Sequence, residues 1–401
     1  MQARNVIRTI LIAALAAISV TLGQTRSDQL RATPESLRVT PASMSISAGS
    51  DATLTVTVNR TAGLSGAVTV SLVNLPSGLR ADPLTIPANA SDGKLNLRSD
   101  ATALTGGPVR VTVRGVSGTQ SAQAVVRFTM IPPGTQATWL DRLNQHRTLA
   151  NLPAVTDEPA WSDGCYEHTR YMIKNQEGEH SQNKTNPWFS QSGLECAQNA
   201  NLSLSSSLTD TDQDAVDGLM TIPFHGIGMI DPALSRSAFA SYREDGKNLR
   251  MAAALDVIRG RGDVPASVKY PVIWPGDGKT VPFARFGGGE WPDPLSSCRG
   301  YKAPAGLPVL FLASPGKAAP KVTGTRFSSG TQVLDHCVFT QATYKNPRSD
   351  ELELARSILG NRRAVVLIPK VPLTRGTMYT VSMTVDGQAF RWSFTVSSSA
   401  N

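Results

Sequence analysis

The chain has only four cysteines and five histidines among 401 residues, and neither type falls into a recognisable cofactor pattern. No Cys-x-x-Cys pair occurs, which argues against a structural zinc knuckle, and no His-Glu-x-x-His helix or nucleophile triad can be picked out. Lysine and arginine outnumber aspartate and glutamate 39 to 31, a net charge of +8, yet they form no block. A scattered basic surface suits adhesion to an anionic envelope, and nucleic acid is not an expected partner. Beyond residue 23 no apolar run is long enough for a transmembrane segment.

The one long apolar run stands at the start. Arg4 and Arg8 precede the apolar stretch 10–18, and small and polar residues follow through Thr21-Leu22-Gly23-Gln24. That order predicts a signal peptide over 1–23 and a secreted, extracellular mature chain beginning near Gln24. The run is shorter than the roughly 20 residues a spanning helix needs, and no cysteine follows it to carry a lipid anchor. In an oxidising compartment four cysteines read as two disulfides. Three connectivities are open. Cys165 with Cys196 and Cys298 with Cys337 is preferred, because each pair then lies inside one proposed domain.

Two proline-rich joints, 130–134 and 259–265, divide the rest. From 36 to 130 the residues alternate with period two, as in Thr53-Leu54-Thr55-Val56-Thr57-Val58 and Val109-Arg110-Val111-Thr112-Val113, without a helical stretch. Such runs broken by Gly, Pro, Ser and Asn turns predict a β-sandwich, and the segment resembles the immunoglobulin-like modules of bacterial surface proteins. It lacks cysteine, histidine and tryptophan, which fits a spacer or adhesive module. The segment 266–397 reads as a second all-β immunoglobulin-like sandwich, closed by a hairpin around Asp386-Gly387 that sends Trp392 and Phe394 to a common core. The stretches 287–292 and 346–347 read as its loops, and His336, beside Cys337, as structural.

The middle segment, 136–259, gathers His168, Glu179-His180-Ser181, Gly193-Leu194-Glu195-Cys196 and Pro223-Phe224-His225. Imidazoles and a carboxylate returned to one cleft can bind a divalent metal, hold a polar ligand or pass protons. Trp139, Leu140 and Leu143 predict a first helix with Arg142 and Arg147 on its opposite face. Trp161, Cys165, His168 and Met172 recur at i, i+4, i+7 and i+11 and share one face of a second. Asp210-Thr211-Asp212 caps a third, which ends before Pro223. Strands on either side of Asp245-Gly246 predict an antiparallel hairpin, and the whole predicts a central α+β unit, an α-β-α sandwich.

Leu143-Asn144-x-x-Arg147, His168-x-x-Tyr171-Met172, His180-Ser181, Glu195 and the run from Ala215 to His225 resemble, in order, the CAP superfamily of cysteine-rich secretory, antigen 5 and pathogenesis-related proteins. The resemblance implies a central cleft with His180, Glu195 and His225 at its rim, and His168 as a further candidate from the adjacent face. Two departures stand out: the family's remaining cleft glutamate falls near Thr221, and its glycine-glutamate-asparagine signature reads Gly193-Leu194-Glu195-Cys196. A cleft short of a carboxylate has lost charge for a cation and a candidate base. Four readings compete. The histidines are fold elements; or the chain is a non-catalytic binding module for an envelope component, lipid, peptide or glycan; or it is a hydrolase with a metal- or histidine-activated water and Glu195 as base; or it is a structural surface protein with an inert cleft. Binding leads, with a divalent metal such as zinc weakly held by His180 and His225 as the expected cofactor.

Overall fold

The structure, a computed structural model, describes residues 36–60, 64–132, 138–246 and 248–400. The expected signal peptide lies outside the described residues. Among those that are described, no helix is long and apolar enough to cross a membrane.

The N-terminal segment is all strand. One sheet orders Leu37–Thr40, Asp51–Val58, Asp92–Ser99 and Leu79–Ala81. A second runs from Leu84–Ile86 through Val68–Val73, Gly106–Ser117 and Gln120–Ile131 to Ser43–Ser47. Alternation places Leu54, Val56, Leu95 and Leu97 of the first sheet and Val68, Val111, Val113, Val126 and Phe128 of the second in one core. A single bridge, Ser241 to Gly107, links the second sheet to the middle segment, and Arg127 grips Asp163 through two bonds of 2.9 and 2.8 Å.

Helix α1, Trp139–Leu149, starts at a reciprocal cap: Thr138 Oγ1 accepts the Asp141 N–H at 3.2 Å, and the Asp141 carboxylate accepts the Thr138 N–H at 2.8 Å. Helix α2, Pro159–Asn175, buries Cys165, His168 and Met172 as the sequence spacing implied. Helix α3, Gln191–Asn199, is joined to α2 by the Cys165–Cys196 disulfide. The two helices touch where α2 has no side chain. A Cβ on Gly164 would stand 2.4 Å from the Ser192 carbonyl oxygen. Helix α4, Asp212–Thr221, repeats the reciprocal cap with Thr211 and Asp214, and α5, Pro223–Met229, follows after one residue. Strands Ala200–Ser205, Met251–Asp256 and Phe239–Arg243 lie side by side, all antiparallel.

Arg147 departs from its expected place. Four positions after Leu143 it falls on the same helical face, and it is fully buried, with its guanidinium donating to the carbonyls of Pro153, Met229, Asp231 and Leu234 at 2.9–3.0 Å. It thereby ties α1 to the end of α5. Arg142 lies nearer the surface, where it meets Asp217 of α4.

The C-terminal segment holds one sheet of Val272–Trp274, Val309–Leu312, Ala364–Pro369 and His336–Thr340. A second comprises Lys279–Val281, Gln388–Val396, Met378–Val385, Val322–Ser329 and Gln332–Val333. The hairpin at Asp386-Gly387 forms, and Trp392 and Phe394 are buried. Cys298 and Cys337 are bonded, and His336 is held by the Leu334 carbonyl and Thr325 at 2.9 and 3.0 Å. The expectation of an all-β segment needs correcting, because α6, Ser349–Asn361, lies between two strands of the first sheet. Asp350 and Glu351 in its first turn suit the positive end of the helix, and Ala355 and Leu359 bury its inner face. The middle and C-terminal segments share a continuous apolar core: Phe224 of α5 packs against Phe339 and Tyr344, and α5 packs against α6.

Candidate functional site

His180 and His225 line one pocket of about 300 Å³. His225 is the third residue of α5, and His180 sits in the loop between α2 and α3. Gln198 from the last turn of α3 and Asn201 from the following strand complete the polar side; Asn201 Nδ2 donates to the His225 carbonyl at 3.0 Å. The apolar side comes from three separate places: Ile258 after the last strand of the middle segment, Trp291 from a C-terminal loop, and Leu354 and Ile358 from α6. Arg362, just beyond α6, also reaches the pocket and is anchored by Nε on Asp231 at 2.9 Å.

The carboxylate of the site is Glu290. Its Oε1 accepts the Nδ1–H of His225 at 2.8 Å and the His225 main-chain N–H at 3.0 Å, and its side chain is 0 % exposed against 15 % for the histidine. Burial pushes the Glu290 carboxyl up, while the bonds to His225 oppose that push. Ile222, the cap residue ahead of α5, has no side-chain oxygen, so Glu290 supplies to the His225 N–H from 65 positions away what the local sequence cannot. Residues Gly287, Gly288 and Gly289 lead into it. Gly288 and Gly289 have φ of +94° and +82°, a backbone that side chains disfavour.

His180 donates from Nδ1 to the Ala197 carbonyl at 2.8 Å, so Nε2 is its open nitrogen. Its pKa is lowered by burial of the ring and, to a lesser degree, by the nearby His225, with the Ala197 bond working against both. The residue stands exposed at the rim, where solvent screens that push, and the push is weaker than the one on fully buried His168.

Two expected cleft residues lie elsewhere. Glu195 is exposed on α3 and does not line the pocket; Gln198, nearly one turn further along the same helix, does. His168 is fully buried on the inner face of α2. Gln182 Nε2 donates to its Nδ1 at 3.1 Å, and Tyr171 stacks on it. Burial and the neighbouring His180 lower its pKa to about 4, which keeps it neutral. The residues that sequence reasoning missed are Glu290, Gln198, Trp291, Leu354 and Arg362. The only signal for Glu290 was a triple glycine ahead of Glu-Trp-Pro.

Among the described residues no three of His, Cys, Asp and Glu come together as a metal site. His180 and His225 both offer Nε2, and each Nδ1 is held by an acceptor, the arrangement that orients metal-binding imidazoles. Two nitrogens are half of a tetrahedral zinc shell. A larger groove of about 740 Å³, between the N-terminal strands and Phe239–Arg243, is lined by Trp188, Tyr242, Arg170 and Lys174 and contains no histidine.

Residues 140–252 match the family model CAP, the cysteine-rich secretory protein family, which bears out the resemblance seen in the sequence. No curated protein matches. Among solved structures the chain is similar to the titin M10–obscurin-like 1 Ig complex, at 18% identity over 23% of this chain and 89% of that one, with a TM-score of 0.16. It is similar to a Porphyromonas gingivalis W83 protein of unknown function at 18% identity over 26% and 52%, TM-score 0.18. A structure of titin A168169 is matched at 9% identity over 88% and 94%, TM-score 0.17. At these TM-scores the likenesses assign no fold.

Proposed function

We propose that this is a secreted, non-catalytic binding protein that seats a ligand with an apolar body in the His180–His225 pocket. The carrying observation is where the exposed apolar side chains stand. Ile258, Trp291 and Leu354 are 44, 49 and 37 % exposed, and all three border this pocket although they come from three separate parts of the chain. Convergent exposed apolar groups around a few polar ones are the usual form of a small-ligand site. Such walls favour a lipid or an apolar peptide side chain over a glycan. On this reading the N-terminal β-sandwich holds the pocket away from an anionic envelope component to which the basic chain adheres, the C-terminal segment forms part of the pocket itself, and the two disulfides suit an oxidising exterior. Zinc, if taken, would be held by the Nε2 atoms of His180 and His225, with water filling the remaining positions and Glu290 orienting His225.

Titration of the full chain with 8-anilinonaphthalene-1-sulfonate tests the apolar pocket. The expected result is enhanced probe fluorescence that weakens in the Trp291→Ala, Leu354→Ala double variant. Equal binding by both proteins would refute it. A second reading, hydrolysis, is favoured by one feature: a buried carboxylate behind an imidazole whose other nitrogen is open is the form of a general base. The base role first given to Glu195 then passes to His225. Turnover of a p-nitrophenyl acyl ester that disappears in His225→Ala would replace the binding reading by this one.

A further inference from the structure

We propose that Glu290 is the positioning residue of the pocket, and that by fixing the tautomer of His225 it makes the pocket selective for ligands whose head group donates a hydrogen bond. The inference rests on the reading of the pocket as a binding site. A neutral imidazole carries one proton, and a ring that donates from Nδ1 must present a lone pair at Nε2. Glu290 Oε1 takes the Nδ1–H of His225 at 2.8 Å, and the Ala197 carbonyl takes the Nδ1–H of His180 at 2.8 Å. Both pocket histidines are thus acceptors at their open nitrogens. A primary amine head can donate to both, and a hydroxyl to one of them. An ether or ester oxygen of the same size donates to neither, and an acceptor that the ligand covers without pairing discriminates between near-isosteric ligands.

The two anchors differ in origin. Ala197 belongs to α3 within the CAP-matched residues, whereas Glu290 arrives from outside residues 140–252 on its glycine loop. The loop is built for that delivery: a Cβ on Gly288 would lie 2.9 Å from the Ala303 side chain, and Glu290 ends with its side chain wholly enclosed. The same oxygen that holds the ring also caps the first turn of α5, so ring and helix are fixed together. The CAP-matched segment supplies the imidazoles, and the C-terminal segment decides which nitrogen of His225 meets the ligand.

The test uses the full chain with ¹⁵N-labelled histidine, whose ring shifts report the tautomer directly. In the wild type both His225 and His180 are expected as the Nδ1–H form. In Glu290→Ala, His225 passes to a population dominated by Nε2–H while His180 stays unchanged. In Glu290→Gln, which keeps an acceptor oxygen, His225 stays as in the wild type. A wild-type His225 found as Nε2–H, or one unmoved in Glu290→Ala, overturns the proposal without needing any ligand. Selectivity is read with two probes of matched length, 1-octanol and methyl heptyl ether. The alcohol should bind about fivefold more tightly, the worth of one net hydrogen bond; in a His180→Ala background, where His225 is the one pocket imidazole left to accept, Glu290→Ala should erase the difference, and a difference that persists there overturns the role of Glu290 in selectivity. Equal affinity for the two in the wild type overturns the selectivity. Binding of neither probe overturns it together with the apolar-pocket reading, and the tautomer spectra still decide the role of Glu290.

Discussion

Acid should loosen the middle of this protein through a residue that takes no part in the pocket. His168 is fully buried and its pKa is lowered from 6.5 to about 4, first by burial and then by His180. Below pH 6.5 the unfolded chain takes up a proton at this ring that the folded chain refuses. Stability therefore falls as pH drops from 6.5 towards 4 and levels off below. Each pH step in that window costs about 1.4 kcal/mol, so the full descent removes about 3 kcal/mol from this residue alone. Burial also lowers the pKa of His146 and of His180, so both act with the same sign. Urea denaturation followed by tryptophan fluorescence measures the effect in the right place, since all six tryptophans lie at residue 139 or later. His168→Gln keeps an oxygen to accept the Gln182 amide and removes the proton site. The wild type should lose about 3 kcal/mol more than this variant between pH 7 and pH 4. Parallel losses would refute the assignment of the acid sensitivity to His168.

Three further outcomes are expected. Replacing Cys165 and Cys196 together by serine releases a loop whose ends are 31 positions apart and should cost about 3–4 kcal/mol in urea denaturation; an unchanged midpoint would mean that the denatured chain gains nothing from the link. Arg147→Met strips three buried carbonyls, and that of the exposed Pro153, of their donor and should cost about 3 kcal/mol or more, read as a fall in Tm, even though it removes a charge from the interior. Gly164→Ala forces α2 and α3 apart against the disulfide that joins them, a loss of about 1–3 kcal/mol by calorimetry, whereas Gly218→Ala, with open space at its Cβ, should be tolerated.

Much of the middle segment could be read before its coordinates. The i, i+4, i+7, i+11 set on α2 is the buried face, both disulfides pair as the domain argument preferred, and His180 and His225 do share a pocket. These features are local or are tied to a short motif. Arg147 was placed on the wrong face because its charge outweighed its spacing from Leu143, and only the four carbonyls that converge on it explain a buried guanidinium. Glu195 follows from the resemblance, as the match to the family's glycine-flanked glutamate, but Gln198 of the same helix lines the pocket and the acid comes from residue 290. Nothing near His225 in sequence announces a partner 65 positions away. Helix α6 carried a legible signal: Leu352, Ala355 and Leu359 fall on one stripe behind Asp350 and Glu351. It was hidden by the alternating strands around it.

The core shared by the middle and C-terminal segments bears on how such a protein can be inherited and cut. The likeness to the CAP family stops at residue 252, but the apolar packing does not. A gene fragment ending near residue 260 would encode a polypeptide whose Phe224 is stripped of Phe339 and Tyr344, and whose α5 has lost α6. A large apolar side chain left in water forfeits about 1.5–3 kcal/mol. The border of ancestry and the border of cooperative folding thus fall at different residues. A recombination event that transplanted the recognisable part alone would carry two histidines into a new host and leave behind the glutamate and half of the wall that give them their setting.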